Sequence, residues 1–178
     1  MTLKSYKGVL VFSLAIAVFF IAITQSSCKV SYGFQDAKSI PDSLKVVKIN
    51  QITNKASYVN PSLAPALTDR LIQKVLRQTR LQQTRGDDAQ WVIDCTITSY
   101  SISTAGISNQ QVNTNRLNVG VNIVIRDNIT QKIIGKYDVT TPFDYAGSLS
   151  LQQAEQSLLD QMLRDIPDAI FNRIFSNW

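Results

Sequence analysis

Apolar residues recur along this chain with three periods, and each period predicts a kind of element. From Gly8 to Ile23 the run is nearly unbroken, behind Lys4 and Lys7 and ahead of Gln25-Ser26-Ser27-Cys28. LKVVKINQI, 44–52, alternates, with Val47 and Ile49 set against Lys48 and Asn50, and predicts a short strand. Leu63, Leu67, Leu71, Val75 and Thr79 recur at four-residue steps, widened by Ile72 and Leu76. Arg70, Lys74, Arg77 and Arg80 lie mostly off that stripe, so 63–80 reads as an amphipathic helix. Alternation returns in 91–102, where Trp91, Ile93, Cys95 and Ile97 oppose Asp94, Thr96, Thr98 and Tyr100. It continues in 116–127, with Leu117, Val119, Val121, Ile123 and Ile125 on one face, and in 131–139, with Ile133, Tyr137 and Val139 inward. A helical stripe then runs through Leu151, Ala154, Leu158, Met162, Ile166, Ile170 and Ile174.

Local chemistry sets the boundaries. Ser62 is placed to cap the first helix, and Pro65 falls in its first turn, where a missing N–H costs little. Ser150 with Gln153 has the spacing of a capping box for the last helix. Pro167 interrupts that helix's pattern and predicts a kink or break near Leu163. The stretches 54–61, 84–88, 103–115 and 141–148 read as loops or turns, the last with two exposed aromatics, Phe143 and Tyr145.

The order is therefore β-α-β-β-β-α. Short connections make the last three strands an antiparallel meander. The first strand, joined to them through a helix, lies parallel to its neighbour. One face of each strand is apolar, so both helices cover the same side. The predicted fold is α+β, a two-layer sandwich of a four-stranded mixed sheet with two helices packed on one face.

The leading stretch has the order of a secretory leader: basic start, apolar middle, small-residue exit. A cysteine at the exit points to a lipoprotein signal, in which Cys28 is acylated and becomes the first mature residue. Gln25 stands where an aliphatic residue is commoner. The alternatives are ordinary cleaved secretion and an uncleaved anchor, for which about 16 apolar residues is near the lower limit for crossing roughly 30 Å of hydrocarbon. The domain reading is a leader over 1–27, a tether over 28–43 able to span up to about 50 Å when extended, and one domain over 44–178.

Composition narrows the chemistry. The net charge of +5 falls to +3 when Lys4 and Lys7 leave with the leader. That balance suits an anionic surface or ligand without specifying one, and export argues against nucleic acid. The chain has no histidine, which removes histidine-based triads, metal sites and pH switches together. Its single glutamate, Glu155, falls in the last helix, and no glycine cluster is built to cradle phosphate. With Cys28 acylated, Cys95 has no partner and reads as a small buried hydrophobe. Pairs such as Asp87-Asp88 lie in a wet turn. The expectation is a protein that is not an enzyme, with no cofactor and no metal.

Strand parity puts Arg116, Asn118, Asn122, Arg126, Lys132 and Lys136 on the face away from the helices, with little acid beyond Asp138. This face is simply solvated, an electrostatic shelf for phosphates, or a partner contact. Arg116, Arg126, Lys132 and Lys136 are the candidate contacts.

The segments C28-K-V-S-Y-G-F34, P61-S-L, L67-T-D-R-L71, Q78-T-R-L81, R116-L-N-V119, D168-A-I-F-N172 and the closing N177-W178 give a resemblance to a known family. In order and spacing they resemble the LptE family of lipopolysaccharide-assembly lipoproteins, its Bacteroidetes branch in particular. The resemblance implies a lipid-anchored protein on the periplasmic side of the outer membrane. It implies a partner, the LptD barrel, whose lumen the protein plugs and whose folding it supports, and a role in delivering lipopolysaccharide to the outer leaflet. Lys29 after Cys28 agrees with outer-membrane sorting. No family contact residue carries over by motif. The rival is a lipid- or protein-binding lipoprotein of the same fold with another client.

Overall fold

Leu117, Val119, Val121, Ile123 and Ile125 occupy every second position of one long strand and are all buried. That row fixes which side of the sheet the helices cover. The computed structural model describes residues 40–41, 43–58, 60–108 and 111–176. The leader, Cys28, most of the tether and the closing Asn177-Trp178 lie outside the described residues.

The elements in order are β1 (Val46–Ile49), β2 (Thr53–Asn54), α1 (Leu63–Gln78), β3 (Gln82–Gln83), β4 (Trp91–Ser108), β5 (Gln111–Asp127), β6 (Ile133–Ala146) and α2 (Leu151–Phe175). They form one mixed sheet ordered β3-β1-β4-β5-β6, with β2 also on β4. β1 runs parallel to β3 and β4, and β4-β5-β6 is the expected antiparallel meander. The α+β class with two helices holds. The sheet has six strands rather than four, because two pieces of two residues each pair beside β1 and β4.

Several local expectations are corrected. The stretch 103–115 is mostly ladder, since β4 continues to Ser108 and β5 starts at Gln111. Ser101 to Ala105 are exposed, so no burial pattern marks a strand that backbone pairing holds. A bulge between Ile97 and Ser99 inverts the parity of β4 and turns Tyr100 inward, where it is buried. Gly120 stands opposite this bulge, and a side chain there would collide with the Ser99 hydroxyl. β6 runs on to Ala146, so Phe143 and Tyr145 are core residues at 0% and 7% exposure, not exposed loop aromatics. Pro142 is tolerated because β6 is an edge strand.

Ile133 does not face inward. A second bulge sets Arg126 opposite Ile133 and Ile125 opposite Gly135, leaving Ile133 and Ile134 exposed.

The helices also differ in detail. α1 stops at Gln78 because Thr79 turns extended, its N–H still reaching Val75 O at 3.0 Å. Ser62 makes no side-chain cap. Its hydroxyl lies 2.8 Å from Asn60 Oδ1 instead. α2 begins with the expected capping box of Ser150 and Gln153. It continues through Pro167 to Phe175 without a break. Pro167 is itself buried, between Met162 and Ile166 on one side and Ile170 on the other, all fully buried. That packing holds the helix across the missing hydrogen bond.

Candidate interaction surface

The sheet face opposite the helices carries the residues expected there, but its charge is more balanced than strand parity suggested. Arg116 makes a two-pronged ion pair with Asp144 across β5 and β6, at 2.6 and 2.8 Å. This contact holds the Asp144 carboxyl below its ordinary range and raises the Arg116 guanidinium. Asn122 Nδ2 donates to Asp138 at 2.8 Å, and Asn50 Nδ2 donates to Asp94 at 2.7 Å. Asp94, Asp138 and Asp144 all accept hydrogen bonds here, so the face is not a plain cation shelf.

The four candidate cations do not form one cluster. Arg116 lies ten positions before Arg126 on β5, about 33 Å at strand rise, and is already neutralised by Asp144. Lys132 is not on a strand. It follows the β5–β6 turn and its carbonyl accepts from Asp127 N at 2.9 Å. Lys136 lies in register with Val124, and Arg126 with Ile133. Arg126, Lys132 and Lys136 therefore share one end of the sheet. Lys48 joins them there, in register with Val92, which pairs in turn with Arg126. Val92 is buried although it stands on the open face. The aliphatic stems of Lys48 and Arg126 are its cross-strand neighbours.

On the helix side of the sheet, near the middle of β4, lies a buried polar cluster. Glu155, on α2, is only 7% exposed. It accepts from the Tyr100 hydroxyl at 2.5 Å and the Tyr58 hydroxyl at 3.0 Å. The two tyrosine rings stack with centroids 5.3 Å apart. Burial, then the bond to Glu155, pushes the Tyr100 phenol up; for Tyr58 the bond to Glu155 comes first. The signal for this cluster was in the sequence. Glu155 lies four residues after Leu151 and three before Leu158, on the apolar stripe of its helix.

Cys95 is free and buried. Burial, with Asp94 adding to it, pushes its thiol up to about 12, so it is the inert hydrophobe expected. Among the described residues no three potential metal ligands come together, and no helix is long and apolar enough to cross a membrane.

Fold and site thus define a small α+β domain that presents surfaces: polar and part-paired across the sheet, basic at one end. Residues 44–174 match the LptE family, lipopolysaccharide-assembly, and the chain belongs to that family, a non-enzymatic lipoprotein family.

Solved structures share the fold. Lipoprotein B of Nitrosomonas europaea aligns at 13% identity over 79% of this chain and 87% of its own, with a TM-score of 0.56. A minor lipoprotein of Acinetobacter baumannii aligns at 18% identity over 73% and 91%, TM-score 0.51. A Xanthomonas campestris protein aligns at 10% identity over 76% and 87%, TM-score 0.52. No curated protein matches the chain. At these identities the structures show a common architecture and nothing of a client.

Proposed function

We propose that this protein is an outer-membrane lipoprotein, acylated at Cys28 and facing the periplasm, that plugs an LptD-like β-barrel, supports its assembly and assists insertion of lipopolysaccharide into the outer leaflet. The observation that carries the proposal is the family match over 44–174. The physics agrees with it. Wide barrels have polar, wet interiors. A sheet face whose carboxylates already accept Arg116, Asn122 and Asn50 can enter such a lumen without stranding a bare charge. Arg126, Lys132 and Lys136 are the cations positioned for lipid A phosphates, through charge-assisted hydrogen bonds. Arg116, held by Asp144, contributes less.

Affinity capture from the native outer membrane tests the partnership, and depletion in the native host tests the role. Recovery of an LptD-like barrel, and loss of its correctly folded form on depletion, are expected. Capture of a different client with the barrel intact in depleted cells overturns the proposal. For the ligand, Arg126→Glu, Lys132→Glu and Lys136→Glu combined should weaken lipopolysaccharide binding with an unchanged circular dichroism spectrum; unchanged binding removes these residues as contacts.

A further inference from the structure

The β5–β6 turn is built rigidly and tipped with the wrong kind of residue for water. Turns favour small polar residues, yet Ile129 sits here at 79% exposure, followed by Ile133 at 60% and Ile134 at 46%. Among the described residues these are half of the large apolar side chains left exposed. The turn is well braced. Asp127 accepts from the N–H groups of Ile129 and Thr130 at 2.8 and 3.1 Å, which holds its carboxyl below its ordinary range. Asn128 Nδ2 donates to the carbonyls of Asp87 and Ala89, each at 3.0 Å. Gln131 takes a left-handed φ of 58°, and its amide donates to Asn128 O at 2.7 Å. Isoleucines fixed outward in this way, beside Arg126, Lys132 and Lys136, combine an apolar tip with a cationic collar.

The chain enters the fold at the same end. Leu44 N bonds Pro41 O at 2.9 Å, and Asn128 N bonds Gln90 O at 2.8 Å. Gln90 in turn receives the incoming strand, its Oε1 accepting from Lys45 N and Val46 N at 2.6 and 3.1 Å. Ile40, where the described chain begins, lies only twelve residues after Cys28. A membrane anchor at Cys28 is therefore separated from the end of the sheet that bears the tip by no more than about 40 Å of extended chain.

We propose that the β5–β6 turn docks into the surface of an anionic lipid bilayer, with Ile129, Ile133 and Ile134 entering the headgroup–acyl boundary and Arg126, Lys132 and Lys136 meeting lipid phosphates. Apolar burial and attraction to anionic headgroups act together in such docking. The opposite end, with the β4–β5 hairpin, is then directed away from the lipid. The inference shares with the proposed function the anchor at Cys28 and the cations Arg126, Lys132 and Lys136; the isoleucine tip belongs to this inference alone.

The test uses the full chain reconstituted into phosphatidylcholine vesicles containing phosphatidylglycerol. An environment-sensitive fluorophore is attached at Thr130→Cys or, as a control at the far end, at Ser148→Cys. Blue-shifted emission and severalfold stronger quenching by a nitroxide-bearing lipid are expected at 130 and not at 148. The effect should weaken in pure phosphatidylcholine, and again with Ile129→Ser and Ile133→Ser together. Both isoleucines are exposed, so unchanged thermal unfolding will show that these variants fold. Equal, water-like emission at 130 and 148 overturns the inference. So does recovery of the blue shift only when a partner barrel is added, which would make the tip a protein contact. Barrel capture and lipopolysaccharide binding by the double serine variant should stay at the wild-type level, which separates failure of this inference from failure of the proposed function.

Discussion

Tyr100 donates its hydroxyl to Glu155 across 2.5 Å, tying the middle of the longest strand to the first turns of α2. The contact exists because the bulge at Thr98-Ser99 turns Tyr100 inward, and because the single glutamate of the chain lies on an otherwise apolar stripe. Tyr58 supplies the second donor.

Removing the acceptor leaves the buried Tyr100 hydroxyl without its partner. Glu155→Ala should destabilise the fold by about 1–3 kcal/mol, the desolvation penalty of an orphaned buried group. Glu155→Gln should lose less, because its carbonyl oxygen still accepts. Urea unfolding of the two variants measures this. A Glu155→Ala midpoint equal to wild type would mean the cluster is structurally idle.

The same cluster sets an alkaline limit. The folded state holds the Tyr100 phenol above its ordinary value, chiefly by burial. Stability from this source is complete below the unfolded tyrosine pKa of about 10. It is lost as pH rises from there towards the raised folded pKa, because the unfolded chain releases the proton first. Tyr100→Phe should be less steeply destabilised over that range, by circular dichroism with parallel absorbance titration of the phenols. Identical slopes for the two proteins would refute the assignment.

On the acid side the sign reverses. Asp144 is held low by Arg116, and Asp127 by the N–H groups of Thr130 and Ile129. Both favour the folded state above the ordinary carboxylate pKa of about 3.9. That contribution disappears as pH falls through their depressed values. In an NMR titration, Arg116→Ala should return Asp144 towards the ordinary range and leave Asp127 where it is. An unmoved Asp144 would show that the ion pair does not persist in solution.

Phe143 offers a check on the sheet's full length. It is completely buried against the core, so Phe143→Ala should cost about 3–5 kcal/mol. A loop aromatic at this position would cost far less. Chemical denaturation distinguishes the two readings directly.

Much of the architecture could be read from periodicity. The two helical stripes and the four alternating runs follow from local spacing, and the parallel placement of β1 from its connection through a helix. The failures have identifiable causes. Two bulges invert parity, at Thr98-Ser99 and at Ile133-Ile134, and a bulge leaves no mark on a simple alternation. Thr141 interrupts the apolar odd positions Val139, Phe143 and Tyr145, and Pro142 lies among them, so alternation does not mark the end of β6. Pro167 looked like a helix breaker, but its surroundings are core.

The basic face was legible only in part. Parity identified Arg116, Arg126 and Lys136 as outward-facing, but nothing local to β5 shows that Asp144 lies across from Arg116. That partnership depends on the β5–β6 register, in which Arg116 meets Asp144. The turn that places Lys132 off the strand has the same origin.

Gln90 grips the incoming chain by four hydrogen bonds, its side chain to Lys45 N, Val46 N and Ser43 O and its backbone N–H to Val46 O, just where it becomes β1. β1 is an interior strand, flanked by β3 and β4. A pull on the leading end of the protein is therefore taken up in shear by the middle of the sheet, not peeled from its rim. Such a domain can bear a load at its N-terminal end and keep its shape.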